Sequence, residues 1–235
     1  MDLTLKFMHF LYNISINFFN MHDKSILFTS KENKQMPNQF NIRVSTTEDT
    51  VYAEEIVAEM ESSAKARGTG IAKRSIEYIE RKIKAGEAFI AIHTLTQKIA
   101  GFCYIESWEH HKFLVNSGLL IFPEYRKKGL GRTLKEFAFK ETTKRYPNAR
   151  LFGLTTSQAV MNVNSDLGYR PVTYDELTDD REFWNGCKSC VNYSTLIQKE
   201  RQNCLCTAML YNPQTKKKKK QLINIVQTSQ EVDRN

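Results

Sequence analysis

Cysteine is scarce in this 235-residue chain: five in all, an odd number, with four of them between Cys187 and Cys206. That is not the disulfide framework of a small secreted protein, so a reducing, cytoplasmic setting is expected. Also missing is any apolar run long enough to cross a bilayer, which takes about 18 consecutive apolar residues. The nearest approach, FMHFLYNISINFFN, is interrupted by His9, Asn13, Ser15 and Asn17. It has no basic leading region and no small-residue cleavage site, so it does not read as a signal peptide. A strong charge excess is absent from the body of the chain. Net charge is +8, but residues 213–235 supply +4 of it and residues 1–35 another +1, leaving +3 for everything between. This is no nucleic-acid footprint. Neither a nucleic-acid nor a membrane partner is expected. A mildly basic surface does suit an anionic cofactor and an acidic substrate.

What is present is ordinary for a globular protein: 41% hydrophobic and 26% charged residues. The most informative stretch is NSGLLIFPEYRKKGLGRTL, residues 116–134. It opens as an apolar run that reads as the end of a buried strand. Pro123 stops that strand because it has no N–H for a ladder. The apolar spacing of Leu130, Leu134, Phe137 and Ala138 then predicts a helix. A glycine-bearing turn that opens a helix leaves unpaired backbone N–H groups at its start, which together with the helix dipole suit a phosphate. Gly129 and Gly131 let the backbone approach a ligand with no Cβ in the way. The plain alternative is a tight strand–helix connection and nothing more.

Arg126, Gly129 and Gly131 stand in the order Arg-x-x-Gly-x-Gly, after Pro123 and Tyr125. The segment resembles the acyl-CoA-binding motif of the GCN5-related N-acetyltransferase (GNAT) superfamily, which lies between the fourth strand and the third helix. Leu167-Gly168-Tyr169 resembles that superfamily's Leu-Gly-Phe/Tyr after the fourth helix. The resemblance covers about residues 41–175. It implies an α/β fold of the α+β type: a mixed, mostly antiparallel twisted sheet flanked by helices. It also implies acetyl-CoA or another acyl-CoA as co-substrate. The expected cofactor-binding residues are Ile121, Phe122, Arg126, Lys127, Lys128, Gly129, Leu130, Gly131, Arg132 and Asn164. The N–H groups of residues 126–131 would hold the pyrophosphate.

Along the chain, the GNAT domain is expected over residues 36–212. Residues 1–35 read as a leader outside it, disordered or not translated natively, with Met36 as the natural initiator. An amphipathic membrane anchor is the rival reading of that leader. Ile42 and Val44 alternate as a first strand. Thr46 or Thr47 is placed to cap a helix carrying Val51, Ile56, Val57 and Met60. Ser75 caps a second helix, IEYIERKIKAG. Further strands are expected over 88–94, 99–108, 115–122 and 150–155, and a helix over 157–167 closed by Gly168. The basic loop between the first two helices lies, by resemblance, over the acceptor pocket. There Arg67, Lys73 and Arg74 are candidates to clamp a carboxylate, with a solvated basic loop as the alternative.

Acyl transfer from a thioester to an amine requires a neutral amine, a polarised carbonyl and a protonated leaving thiolate. By resemblance the carbonyl is held by a backbone N–H of the fourth strand, here Leu120, Ile121 or Phe122, with Ile121 central. Glu106 is the leading candidate base. It ends the apolar run Phe102–Ile105 beside Trp108, where partial desolvation raises a carboxylate pKa. Glu109, His110 and His111 are nearby alternatives. Many relatives place an acidic tyrosine four residues before the glycine of Leu-Gly-Phe/Tyr. Here that residue is Asn164, which cannot act as an acid.

Cys187-x-x-Cys190 and, after thirteen intervening residues, Cys204-x-Cys206 have the spacing of a four-thiolate zinc site in a Cys-rich extension, residues 178–212. Buried or redox-sensitive thiol pairs are the alternative. The lysine run after Pro213 marks residues 213–235 as a disordered tail. Phrases such as ARGTGIAKRS, GFCYIE, NSDLGY and CLCTAMLY resemble a bacterial GNAT group associated with arginine biosynthesis. That implies a small amino-acid acceptor such as glutamate, with acetyl and succinyl donors indistinguishable. A homodimer is compatible with it. The alternatives are a protein or peptide N-acetyltransferase and a non-catalytic CoA- or zinc-binding regulatory module.

Overall fold

A computed structural model describes residues 39–68 and 73–215, without the side chain of Arg67. The expected leader, residues 69–72 of the basic loop and the lysine-rich tail from 216 onward lie outside the described residues. β1 (Phe40–Val44) leads into a short 3-10 turn, Thr47–Tyr52, whose N-cap is Thr46. The Thr46 N–H donates to Asp49 Oδ2 at 2.7 Å, and Arg43 grips both Asp49 oxygens at 2.7 and 2.8 Å. The cap thus ties strand and helix together, and Asp49 is buried without being left unpaired. Val51, expected on the helix's apolar face, falls in the 3-10 turn and is 77% exposed.

Helix α1 (Ala53–Arg67) ends at Gly68, whose φ of 59° is left-handed. Helix α2 (Ile76–Lys84) begins as the sequence requires: Ser75 Oγ accepts the Tyr78 N–H at 3.2 Å. Ile56 and Met60 of α1 and Ile79 and Ile83 of α2 are buried against one face of the sheet.

The sheet has seven strands in the order β1-β2-β3-β4-β5-β7-β6. β2 (Ala88–His93) and β3 (Ile99–Trp108) pair antiparallel, and β3 pairs antiparallel with β4 (Phe113–Ile121). β4 starts at Phe113, two residues before the expected Val115. Its register with β3 slips between Phe102↔Leu120 and Tyr104↔Ser117, around Gly118 at φ 62°. This bulge bends β4. β4 runs parallel to β5 (Arg150–Thr155), but their register holds only for Phe113↔Arg150 and Leu114↔Leu151. Beyond Leu114 the two strands part. β4 therefore presents an unpaired inner edge along the very segment that leads to the glycine turn.

Helix α3 (Leu130–Arg145) follows β4 and covers the second face, burying Leu134 and Ala138 over Cys103, Ile105 and Leu151. Helix α4 (Gln158–Asp166) follows β5, with Ser157 as its cap and Gly168 at φ 92° closing it. β6 (Arg170–Val172) and β7 (Thr207–Tyr211) complete the sheet, β7 lying between β5 and β6. The Cys-rich segment is therefore not only an addition, since its last strand is interior to the sheet. Between β6 and β7, short helices α5 (Arg181–Asn185) and α6 (Tyr193–Gln198) cover a third apolar cluster around Phe113, Phe152, Tyr174 and Trp184. Among the described residues no helix is long and apolar enough to cross a membrane.

Candidate active site

Two features meet at the gap between β4 and β5: the glycine turn at its open end and a cavity over one face. At the turn, Pro123–Tyr125 forms a single 3-10 turn, and Arg126 N–H closes on Pro123 O at 3.3 Å. Lys127 at φ 61° and Gly129 at φ 84° then reverse the chain into α3. Among the described residues the backbone N–H groups of 127–131 have no acceptor, whereas those of Arg132 and Thr133 both reach Gly129 O. Left-handed residues in such a turn aim successive N–H groups into one concavity, an anion-binding nest at a positive helix end. Open space surrounds the position a Gly129 Cβ would take, and a Gly131 Cβ would lie 3.4 Å from Ile121.

The Arg126 side chain is not aimed at this nest. Its Nε donates to Ile121 O at 2.8 Å, and its Nη2 donates to Glu59 at 2.6 Å and Ser63 at 2.8 Å. It bolts the turn to α1. Arg132 likewise bridges α3 to Asp166 on α4 at 2.6 Å. Lys127 and Lys128 are exposed at the turn's rim, the latter with its ammonium over the Tyr125 ring.

The strand geometry separates the three N–H groups named for the carbonyl. Phe122 N–H donates to Ala100 O on β3 at 3.0 Å. Neighbouring residues of a strand point their polar groups to opposite edges, so Leu120 shares Phe122's direction and Ile121 faces the gap. Ile121 O confirms the direction by taking Arg126 rather than β3.

On the α2 side of the same gap lies a cavity of about 450 Å³. Val115 and Ser117 of β4 and Leu154 of β5 line it, with Glu106 and Arg74 at one end. Glu106 is 9% exposed. Its Oε1 accepts from Arg74 Nη2 at 2.7 Å and from the Tyr78 hydroxyl at 2.8 Å. Arg74 Nε also donates to the Tyr104 hydroxyl at 2.9 Å. Burial opposes the Arg74 charge, but Tyr104 and Glu106 outweigh it and hold the guanidinium above its usual value. Burial, reinforced by the Glu106 carboxylate, pushes the Tyr78 phenol up and the Tyr104 phenol to about 12. The expected base and the expected carboxylate clamp are thus partners of each other. Lys73 is exposed and outside the cavity lining, and Glu109 is turned away to Lys112 and Thr178. His111 stacks on Tyr146.

All four clustered cysteines line this cavity as free thiols. They do not form the expected zinc site. Among the described residues no group of three or more His, Cys, Asp or Glu side chains is arranged to hold a metal ion. Cys204 Sγ is instead engaged by the Tyr174 hydroxyl at 2.9 Å. Burial holds the Cys187 thiol up at about 11 and the Cys206 thiol at about 12. Cys187, Cys190, Cys204 and Cys206 are a soft, polarisable wall of the cavity.

Asn164 is 2% exposed, with its amide nitrogen 3.8 Å from Met209 Sδ and its Oδ1 unpartnered. It packs between α4 and the sheet, away from the cavity lining. Sequence reading also passed over three groups. Tyr78 and Tyr104 were hidden in ordinary apolar spacing. Lys135 was not: a lysine at a buried position of the α3 stripe is a visible anomaly.

β4 and β5 part beyond Leu114, the glycine turn stands at the open end of the gap between them, and the chain adopts the GNAT fold. No family model and no curated protein matches the sequence. Solved structures do match. N-acetylglutamate synthase from Neisseria gonorrhoeae, complexed with coenzyme A and N-acetyl-glutamate, is similar at 17% identity over 74% of this chain and 35% of its own, with a TM-score of 0.52. The match thus spans about a third of that enzyme. A GNAT-family acetyltransferase from Staphylococcus aureus matches at 14% identity over 74% of this chain and 99% of its own, TM-score 0.51. YncA from Salmonella typhimurium, solved with acetyl-CoA, matches at 13% identity over 74% and 94%, TM-score 0.51.

Proposed function

We propose that the protein is an acyl-CoA-dependent N-acyltransferase that acts on the amine of a small amino acid such as glutamate. The observation that carries this reading is the run of unpaired N–H groups at 127–131, opening directly onto the unpaired edge of β4. The nest takes the pyrophosphate, and the acyl arm lies along β4 in the gap. Ile121 N–H, which faces the gap, holds the acyl arm, and a gap-facing N–H deeper along β4 polarises the thioester carbonyl. The acceptor amine enters from the cavity and gives its proton to Glu106. An acceptor carboxylate that takes Arg74 frees Glu106 for this task. Transfer is direct: the amine nitrogen bonds to the carbonyl carbon as the carbon–sulfur bond breaks. The resemblance to the arginine-associated group points to glutamate, and the N-acetylglutamate complex of the Neisseria synthase agrees with it.

The test is thiol release from acetyl-CoA and succinyl-CoA against the twenty amino acids and a peptide panel, with Gly129→Glu as control. Turnover with an amino acid and loss of coenzyme A binding in the variant are expected. Preference for peptides over free amino acids would discard the acceptor class and retain the enzyme. Coenzyme A binding with no turnover on any amine would leave a binding module. Unimpaired binding by Gly129→Glu would overturn the nest.

A further inference from the structure

Lys135 lies on the covered face of α3 and is 5% exposed. Its Nζ donates to Asn116 O at 3.4 Å and sits 5.9 Å from the centre of the Tyr169 ring. Among the described residues no carboxylate pairs with it. Burial lowers its pKa, with the Cys103 thiol opposing weakly. The titratable groups facing it are Cys103 from β3 and Tyr169 from the turn before β6, with Tyr211 of β7 behind Tyr169. Two more buried polar atoms on these same neighbours, Asn116 Oδ1 and the Tyr169 hydroxyl, have no partner. A buried cation without a counter-charge is costly to hold, so its retention points to an anion that arrives.

Its location says which anion. Ile105 N–H bonds to Glu87 O, just before β2, so the facing residue, Asn116, turns its own polar groups away from β3 and toward β5. Lys135 Nζ therefore occupies the rung just past Leu114↔Leu151, the last pair before the strands part. That is the closed end of the gap. On the opposite face the cavity touches the same stretch at Val115 and Ser117, and Val115 is the register partner of Glu106. Glu106 and Lys135 thus approach one point of the gap from opposite faces.

We propose that Lys135 meets the thioester sulfur and stabilises and protonates the departing thiolate, the task for which Asn164 has no proton. This rests on the acyl-CoA reading above. As the amine nitrogen bonds to the carbonyl carbon, the carbon–sulfur electron pair goes to sulfur, which takes a proton from the Lys135 ammonium. The amine's proton goes to Glu106, and solvent returns the enzyme to its starting protonation.

The experiment follows the thiolate ultraviolet absorbance of coenzyme A bound to the full-length protein as pH is raised. An ammonium beside the sulfur lowers the thiol pKa, and a fall of about one unit below free coenzyme A, tenfold in the equilibrium, is expected. Lys135→Met, similar in volume and apolar, should bind coenzyme A equally well, abolish the shift, and lower kcat at least tenfold with acceptor KM unchanged. Lys135→Arg, which keeps the charge, should retain most of the shift. No shift in the wild type, or the same shift in Lys135→Met, overturns the proposal. Failure of the wild type to bind coenzyme A at all would instead overturn the acyl-CoA reading, and is seen separately. If Lys135→Met fails to fold, absence of the shift in the wild type or its loss in a folded Lys135→Arg decides against the proposal.

Discussion

Glu106 is held by two donors that arrive from α2 and the segment before it, Tyr78 and Arg74. Replacing it with glutamine keeps the shape and removes the charge. Arg74 then loses its anion in a half-buried setting, at a cost of about 1–3 kcal/mol, read as a fall in the denaturation midpoint. If Glu106 is the base, kcat falls by about 10²–10⁴, the usual worth of a positioned base, while the coenzyme A Kd is unchanged. A variant with wild-type kcat would remove Glu106 from the chemistry and leave it a structural partner. The carboxylate itself was legible, because a glutamate that ends a strand's apolar run stands out against its neighbours. Its pairing was not. Arg74 and Glu106 are 32 positions apart in the chain, and only the packing of α2 across β3 brings them within 2.7 Å. Reading them separately gave them separate tasks.

At the scale of elements, the device that shapes the site is the β4 bulge. Gly118 sits at φ 62°, and a Cβ there would lie 2.4 Å from Tyr104 Cε1 and 2.8 Å from Met60 Cε. Neither neighbour moves freely, since Tyr104 is 2% exposed and bonded to Arg74, and Met60 is 5% exposed on the sheet-facing side of α1. Gly118→Ala therefore combines a left-handed backbone penalty of about 1–2 kcal/mol with overpacking of similar size. Loss of about 3 kcal/mol is expected in chemical denaturation. Full stability would mean that the bulge is not fixed by this contact. The strand was legible from NSGLLIF, and so was its stop at Pro123. The bulge was not, although a glycine inside a strand is the usual sign of one. A slip in register depends on the partner strand, and periodicity within one strand carries no record of it.

Over the whole molecule, the chain returns late to complete its own core. β7 pairs with β5 over five register positions, from Leu151↔Tyr211 to Thr155↔Thr207, and with β6 over three. Its side chains serve both faces: Met209 and Tyr211 pack under α3, while Ala208 and Leu210 join the cluster beneath α5 and α6. This double burial explains why residues 178–212 read as an appendage. Their cysteines drew the eye to a metal site, while TAMLY is too short to announce a strand, and interior strands lack clean alternation. The order of the other elements was legible because strand and helix periods alternate plainly from Ile42 to Tyr169. A stop after Cys206 tests the reassignment. It strips four side chains from the core, each worth about 1.5–3 kcal/mol when large and fully buried, against a total stability of about 5–15 kcal/mol for a domain. It also leaves β5 and β6 with open edges inside the molecule. The shortened chain is expected to be insoluble or unfolded by circular dichroism. A stop after Thr215 keeps every described contact and is expected to retain the denaturation midpoint and thiol release. If the chain ending at Cys206 still folds cooperatively and binds coenzyme A, β7 is dispensable, and the cavity wall of Cys187, Cys190 and Phe183 would have to stand without it.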